Sequence, residues 1–172
     1  MINAGRVQLR RWCEADRDVF AALNADPEVT RDLGGPLDRA RSDAKFERYT
    51  AAFDRHGFCR WALERSDGQF LGYAGVMPAS AGHPVGPHAE VGWRLVRSAW
   101  GQGYATEAAG AALRDAFTRA GLREVFAYTA PDNVRSQAVM ERLRLKREPA
   151  RDSAHYDGFG DWRGLVWIAR AV

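Results

Sequence analysis

The chain has 172 residues, of which 46% are hydrophobic and 27% charged, with a formal net charge of +3. These values are typical of one folded domain, 1–172, that needs neither disulfides nor a metal to stabilise its core. Cys13 and Cys59 show no CxxC spacing, so we expect no metal site. The sequence has no long basic tract and no apolar run of about 18 residues, so we expect neither a nucleic-acid nor a membrane partner. It shows no signal or transit peptide, and we therefore expect a cytoplasmic protein.

The first quarter of the chain is predicted to contain one strand and two main helices. Residues of alternating polarity predict a strand over Val7–Trp12. Acidic residues from Glu14 onward then begin a helix, which Asn24–Pro27 either ends or continues as a second short helix. Apolar residues at helical spacing predict a longer helix over Ser42–His56.

A hairpin and a loop follow. The strands Phe58–Glu64 and Gln69–Met77 are separated by the turn residues Arg65–Gly68, which predicts an antiparallel pair. The Pro- and Gly-rich segment Pro78–Pro87 is predicted to be a loop.

The most informative stretch begins with a predicted strand, Val91–Val96, rich in β-branched and aromatic residues. Ser98–Gly103 is then a turn with two glycines, and the helix after it carries apolar residues on one face until Gly121. A glycine turn at a helix N-terminus can hold a phosphate, because backbone N–H groups approach the anion closely and the helix dipole adds about half a positive charge.

The last third is predicted to form the strand Glu124–Ala130, the helix Val134–Leu143, the strand Arg147–Arg151, a turn at Asp157–Gly160 and a final strand, Leu165–Val172. The sequence contains no repeat and no linker. This order of elements predicts a mixed sheet covered by helices, in an α/β or α+β domain.

Two common phosphate sites are excluded for the glycine turn. No Gly-Lys-Ser/Thr follows it, so it is not a nucleoside triphosphate P-loop, and it lacks the third glycine of a dinucleotide fingerprint. Taken alone, a plain tight turn is an equal alternative.

The segment Trp100-Gly-Gln-Gly-Tyr-Ala-Thr-Glu-Ala108 resembles the acyl-CoA pyrophosphate loop of the GNAT superfamily of N-acetyltransferases, and in particular its RimJ/RimL-like branch, which acetylates protein N-termini and related amines. Leu9–Asp16 with Asn24–Glu28, Glu90–Leu95 and Asn133–Leu143 resemble other parts of that branch. The resemblance implies a GNAT-like acyl-CoA N-acyltransferase fold: a mostly antiparallel sheet of about seven strands, its fourth strand splayed from the fifth, flanked by about four helices.

The resemblance also implies that acetyl-CoA is the co-substrate. Its pantetheine arm would bond to the backbone at Trp93, Leu95 and Val96, in the gap beside the fourth strand. Its pyrophosphate would meet N–H groups of Gln102, Gly103, Tyr104, Ala105 and Thr106. Arg97 and Arg135 are candidates to meet phosphate charge, with solvated surface arginines as the alternative.

The implied chemistry is direct transfer, in which an uncharged amine attacks the thioester and a carboxylate takes the amine's proton. Glu90 is the candidate base, because it shares a strand face with Gly92 and Arg94, opposite the apolar residues of that strand, and so lies outside the apolar core. A structural or solvent-facing Glu is the alternative. The late helix has no tyrosine to act as an acid. Asn133 and Ser136 stand there, and the resemblance implies that they bond the cofactor's amide and sulfur. Asn133 is equally a candidate helix N-cap.

The acceptor side is less well defined. His83 and His88 lie in the loop before Glu90, and His155 lies close to Tyr156 and Asp157; each histidine either contacts the acceptor or is simply solvated. The tail from residue 150 onward lacks the branch's sequence.

The late helix ends in Leu143-Arg144-Leu145, where the family usually places a glycine after the leucine. An arginine in the left-handed conformation costs about 1 kcal/mol relative to glycine. This helix end is therefore expected to be built differently.

The predicted function is acetyl-CoA-dependent N-acetylation of a primary amine. A protein or peptide N-terminal amine is favoured over a small-molecule amine such as an antibiotic or polyamine. A non-catalytic acyl-CoA-binding module and a nucleic-acid-binding domain are the alternatives. The chain is expected to be a monomer or homodimer.

Overall fold

The computed structural model describes residues 1–79, 82–83, 85–152, 155–156, 160–161 and 164–171. The strands are β1 Ile2–Asn3, β2 Val7–Arg10, β3 Arg60–Arg65, β4 Phe70–Pro78, β5 Ala89–Leu95, β6 Glu124–Thr129, β7 Lys146–Arg147, β8 His155–Tyr156, β9 Gly160–Asp161 and β10 Leu165–Arg170. The α-helices are α1 Arg17–Ala25, α2 Pro27–Thr30, α3 Arg39–His56, α4 Tyr104–Thr118 and α5 Val134–Arg142.

Eight strands form one sheet in the order β1-β2-β3-β4-β5-β6-β10-β7, while β8 and β9 form a separate two-stranded sheet. Every neighbouring pair in the large sheet is antiparallel except β5 and β6. These two strands are parallel and share a single register position, Glu90 opposite Phe126. They therefore diverge toward their C-terminal ends. This confirms the predicted splay, since β5 and β6 are the strands that the resemblance counts as the fourth and fifth. The predicted fold class is confirmed as well.

Helices cover both faces of the sheet. On one face, Val76 and Val91 belong to a buried cluster with Ala109 and Leu113 of α4. On the other face, Tyr73 packs edge-on against Tyr49 of α3, with ring centroids 5.3 Å apart. Since successive residues of a strand point to opposite faces, α4 and α3 lie on opposite sides of β4.

The apolar face predicted for α4 is confirmed along its central turns. The buried residues of α4 are Tyr104, Ala108, Ala109, Ala111, Ala112, Leu113 and Ala116. The helix ends at Thr118, three residues before the predicted cap at Gly121. Small side chains dominate this face, so the helix axis lies close to the sheet. The N-terminus of α4 is thereby held near the end of β5.

Two local expectations are wrong. The strand predicted over Arg147–Arg151 is limited to β7, because Pro149 has no N–H to donate and begins a 3-10 turn. The end of α5 is not built differently, since Arg144 does adopt the left-handed conformation, with φ 57°. The first three residues of the turn predicted at Asp157–Gly160 lie outside the described residues.

None of the helices that the structure describes combines the length and apolar character required to cross a bilayer.

Candidate active site

A cavity of about 750 Å³ lies where the end of β5, the N-terminus of α4 and one face of α5 meet. It contains most of the residues predicted to bind the co-substrate. Those that line it are Trp93, Leu95, Gln102, Gly103, Tyr104, Ala105, Thr106, Asn133 and Ser136. Residues distant in sequence are thus brought together around one space.

The glycine turn leaves the N-terminus of α4 open to an anion. Gly103 is its N-cap residue, with φ 85°, and none of the described side chains caps the helix. Gly101 is also left-handed, with φ 74°, and a Cβ added there would meet no atom within 4 Å. The N–H groups of the first helical turn have no partner within the helix. This geometry fits a pyrophosphate group.

Beside the turn, β5 offers an open backbone edge. Beyond Glu90 this edge has no ladder partner on β6 in the described strands. The indole N–H of Trp100 donates to Leu95 O at 2.8 Å, which ties the turn to the end of the strand. An extended ligand arm can therefore lie against β5 and reach the turn, as the prediction for acetyl-CoA requires.

Arg6, Arg135 and Arg142 line the cavity, together with Glu107, which pairs with Arg6. The predicted Arg135 stacks its guanidinium 4.0 Å from the centre of the Trp100 ring. Sequence reasoning missed Arg6 and Arg142, which also line the cavity. Arg6 comes from before the first predicted strand, and nothing local signals its position. Arg142 lies seven residues after Arg135 on the same helix, and that spacing places both on one face.

Arg6 braces the turn from outside. Its Nη2 donates to Gln102 O at 2.8 Å, and its Nε donates to Glu107 Oε1 at 2.7 Å. Its guanidinium also lies 4.9 Å from the centre of the Tyr104 ring. More than half of its side chain is exposed, so it remains accessible to a ligand.

Two predicted binding residues lie outside the cavity lining. The N–H of Val96 donates to Leu71 O at 2.9 Å, which pairs it within the sheet region. Arg97 is largely exposed, and its Nε donates to Asp26 Oδ2 at 3.0 Å. Their roles toward a ligand remain predictions.

Asn133 is the N-cap of α5, which is one of the two roles predicted for it, and its contact with the cofactor stays a prediction. Its Oδ1 accepts the N–H of Ser136 at 3.1 Å, so it caps α5. Its Nδ2 donates to Asp32 Oδ2 at 3.0 Å, which links α5 to the 3-10 turn after α2. Ser136 lines the cavity in the first turn of α5.

Asp32 was missed because it lies a hundred residues before Asn133, in the 3-10 turn Arg31–Leu33 that continues α2. Its Oδ1 accepts from Arg94 Nη1 at 3.0 Å. Arg94 also donates to Val29 O, and only about a tenth of its side chain is exposed. Glu28, on α2, also lines the cavity, so two carboxylates lie near the one guanidinium of Arg94 in this part of the chain.

The predicted base Glu90 lies on β5 outside the cavity lining. Its Oε1 accepts from Arg60 Nη2 at 2.5 Å, while none of the described residues donates to Oε2. About a fifth of its side chain is exposed, whereas Arg60 is buried. The carboxylate is thus fixed in orientation and keeps one oxygen for a water or an amine.

A polar cluster of Lys45, Asn24 and Tyr73 lies on the sheet face that carries Glu90. Lys45 Nζ is 2.8 Å from Asn24 Oδ1 and 3.3 Å from the Tyr73 hydroxyl. Burial raises the pKa of Tyr73, but the nearby charges of Lys45, Arg94 and Arg60 outweigh burial and lower the pKa to about 8. Excess positive charge therefore surrounds this phenol.

The two loop histidines pack on the sheet. His83 stacks on Tyr128 at 4.7 Å between ring centroids, and His88 lies 4.8 Å from Phe126. Burial, with a smaller effect from His88, lowers the pKa of His83 to about 4. The side chains of His155, Tyr156 and Asp157 lie outside the described residues. The acceptor roles of these residues remain predictions.

The chain belongs to the GNAT acetyltransferase family, because the model of the acetyltransferase (GNAT) domain matches residues 6–146. It is 31% identical over 145 residues to the uncharacterized protein YkkB of Bacillus subtilis, covering 81% of each chain. Among solved structures, it is similar to an acetyltransferase from Agrobacterium tumefaciens, with a TM-score of 0.84, 27% identity and coverage of 99% and 94% of the two chains.

Two further structures share the fold. RimJ of Mycobacterium smegmatis, solved with CoA-disulfide, is 24% identical with a TM-score of 0.73 and coverage of 99% and 84%. A spermidine N-acetyltransferase of Vibrio cholerae, solved with CoA and spermine, is 17% identical with a TM-score of 0.75 and coverage of 96% and 95%. Both structures were solved with a CoA species, and the second enzyme is named for its action on spermidine.

Proposed function

We propose that the chain is a cytoplasmic N-acetyltransferase that moves an acetyl group from acetyl-CoA directly to a primary amine, with a protein or peptide N-terminal amine as its first acceptor class. The observation that carries this proposal is the cavity that joins an uncapped helix N-terminus to the open edge of β5. In a GNAT acetyltransferase, that space suits a long anionic thioester.

The residues divide the binding work by charge. The N–H groups at Gln102–Thr106 would hold the pyrophosphate, and Arg6, Arg135 and Arg142 would meet the remaining phosphate charge. The backbone at Trp93 and Leu95 would pair with the pantetheine arm.

In the transfer itself, a C–N bond forms between the amine and the acetyl carbonyl carbon, and the C–S bond breaks. Glu90 would accept the proton of the ammonium through its free Oε2, directly or through one water. The Ser136 hydroxyl would donate a hydrogen bond to the departing thiolate. The nitrogen loses its second proton after the attack; this proton passes through solvent to the thiolate, and the proton on Glu90 is released to solvent.

The test is turnover with acetyl-CoA and a panel of amines: peptides that differ in their N-terminal residue, spermidine and an aminoglycoside. Thiol release gives the rate, and mass spectrometry of each amine identifies the acetylated product. We expect at least one peptide to gain one acetyl group. Acetyl-CoA binding without acetylation of any panel amine would favour the alternative, a non-catalytic acyl-CoA-binding module.

A small-molecule amine is the second candidate. Its support is the shared fold with the spermidine enzyme. Faster turnover of spermidine or the aminoglycoside than of every peptide would favour it.

A further inference from the structure

Charged residues of both signs line the cavity, on different elements. Two arginines contact the glycine turn: Arg6 donates to Gln102 O, and Arg135 stacks on the Trp100 ring. Glu28 and Asp32 line the part formed by α2 and the 3-10 turn that follows it, and this part is the acidic end. On the proposed function, the anionic donor binds at the glycine turn, so the acidic end is left for the acceptor.

Asp32 is held rigidly at that acidic end. Arg94 donates to both carboxylate oxygens, from Nη1 to Oδ1 at 3.0 Å and from Nη2 to Oδ2 at 3.5 Å, and Asn133 donates to Oδ2 at 3.0 Å. Its side chain is 30% exposed, so the carboxylate still faces open space. Oδ1, which accepts a single hydrogen bond, can accept another. The group is therefore prepared to receive one more donor without rearranging.

Asp32 is also linked to residues that we propose to act in acetyl transfer. Asn133, which contacts Asp32, also caps the turn of α5 that carries Ser136. Arg94, its other partner, follows Trp93 on the open edge of β5. Glu90, by contrast, lies outside the cavity lining and is paired with Arg60. Among the described carboxylates that line the cavity, Asp32 is thus the one that contacts both β5, through Arg94, and α5, through Asn133.

We infer that Asp32 is the acceptor-binding residue, and that it accepts a hydrogen bond from the ammonium group of a monocationic primary amine before Glu90 removes the proton. This inference rests on the proposed function. The described residues bring two carboxylates to this end, and Arg94 offsets part of their charge. The site therefore matches one ammonium group and is poorly matched to a polyamine.

The test is a chemical-shift titration of the CoA-loaded protein with three probes. Benzylamine is a cation at neutral pH, benzyl alcohol has nearly the same shape without the charge, and spermidine is a polycation. We expect the wild type to bind benzylamine about tenfold more tightly than benzyl alcohol, as one charge-assisted hydrogen bond allows. Asp32→Asn should remove this preference and leave benzyl alcohol binding unchanged, and spermidine should bind no more tightly than benzylamine.

Two matched variants control the result. Asp32→Glu keeps the charge and should retain most of the preference. Asp18→Asn removes a carboxylate that is highly exposed, pairs with Arg39 and lies outside the cavity lining, and should change nothing. Equal binding of the first two probes by the wild type, a preference that survives Asp32→Asn, or spermidine binding tenfold tighter than benzylamine would overturn the inference.

The titration requires no turnover, so the two proposals fail separately. If a panel amine is acetylated but the probes show no charge preference, acetyl transfer stands and the role of Asp32 is wrong. If no amine is acetylated, the proposed function fails whatever the probes show.

Discussion

Glu90 owes its orientation to the absence of a side chain at Gly92. Arg60 lies opposite Gly75 in the sheet, and Gly75 lies opposite Gly92. A Cβ on Gly92 would overlap the Arg60 guanidinium, so only glycine lets that side chain extend over the strands to Glu90. A buried charge needs such a partner, because removing it leaves an uncompensated ion. Gly92 therefore positions the candidate base without touching it.

The substitution Glu90→Gln tests whether Glu90 is the catalytic base. The amide keeps the shape and can still accept from Arg60, but it cannot take a proton. We expect kcat/KM for the amine to fall by about 10² or more, with the largest loss at low pH where more of the amine is protonated. The measurement is a pH–rate profile, with the acetyl-CoA Kd and the Tm of the variant as controls. A profile like that of the wild type would remove Glu90 as the base.

Ser136→Ala tests the contact to the thiolate. The Ser136 backbone N–H that Asn133 caps is retained, so α5 should stay intact. We expect kcat to fall by about three- to tenfold, because one hydrogen bond to a developing charge is lost. Ser66→Ala, on the exposed turn of the β3–β4 hairpin, is the matched control and should be neutral. A weaker acetyl-CoA affinity with unchanged kcat would assign Ser136 a positional role.

Among the elements, α5 shows how a helix end can keep its geometry without the usual residue. The N–H of Leu145 donates to Met140 O at 3.0 Å, and the N–H of Arg144 donates to Glu141 O at 2.8 Å. These two bonds are those of a Schellman motif, which places Arg144 in the left-handed region. Leu145 is buried, so packing and hydrogen bonds together offset the strain.

Replacing Arg144 with glycine should therefore stabilise the protein. We expect Arg144→Gly to raise the free energy of unfolding by about 0.5–1 kcal/mol, since glycine adopts a positive φ without a steric penalty. Glu141→Gly, within α5 and exposed, should lower it by about 1 kcal/mol. Denaturant unfolding of the three proteins measures both values. A destabilised Arg144→Gly would mean that the side chain itself stabilises the helix end.

Across the whole molecule, local patterns were enough to predict the strand, glycine turn and helix between Val91 and Gly121. The apolar periodicity and the glycine spacing lie within one segment, so they can be interpreted without knowledge of the other elements. The splay of β5 and β6 followed from the family resemblance and not from any residue pattern.

The residues that sequence reasoning missed share a different cause. Asp32 meets Asn133 and Arg6 meets Glu107 only because the fold brings distant segments together, each pair being 101 residues apart. Neither Asp32 nor Arg6 stands in a pattern that marks a site. The wrong strand at 147–151 has a local cause, because Pro149 ends the pairing. The acceptor side depends on long-range contacts of this kind, and local sequence therefore specifies it least.

The measurement that tests the central claim most directly is an acetyl-CoA titration by calorimetry of the wild type, Gly103→Asp and Gly68→Asp. An aspartate at 103 would bring its own carboxylate to the helix N-terminus, beside Arg6, and so exclude the pyrophosphate. Gly68 has nearly the same φ, 86° against 85°, and a Cβ there would meet no atom, so it controls for backbone strain.

We expect the wild type and Gly68→Asp to bind acetyl-CoA equally, and Gly103→Asp to bind at least about 10²-fold more weakly, as like charges in contact require. Gly103→Asp should then fail to acetylate any amine that the wild type acetylates. An unchanged acetyl-CoA affinity in Gly103→Asp would contradict the assignment of this turn, and with it the proposed site.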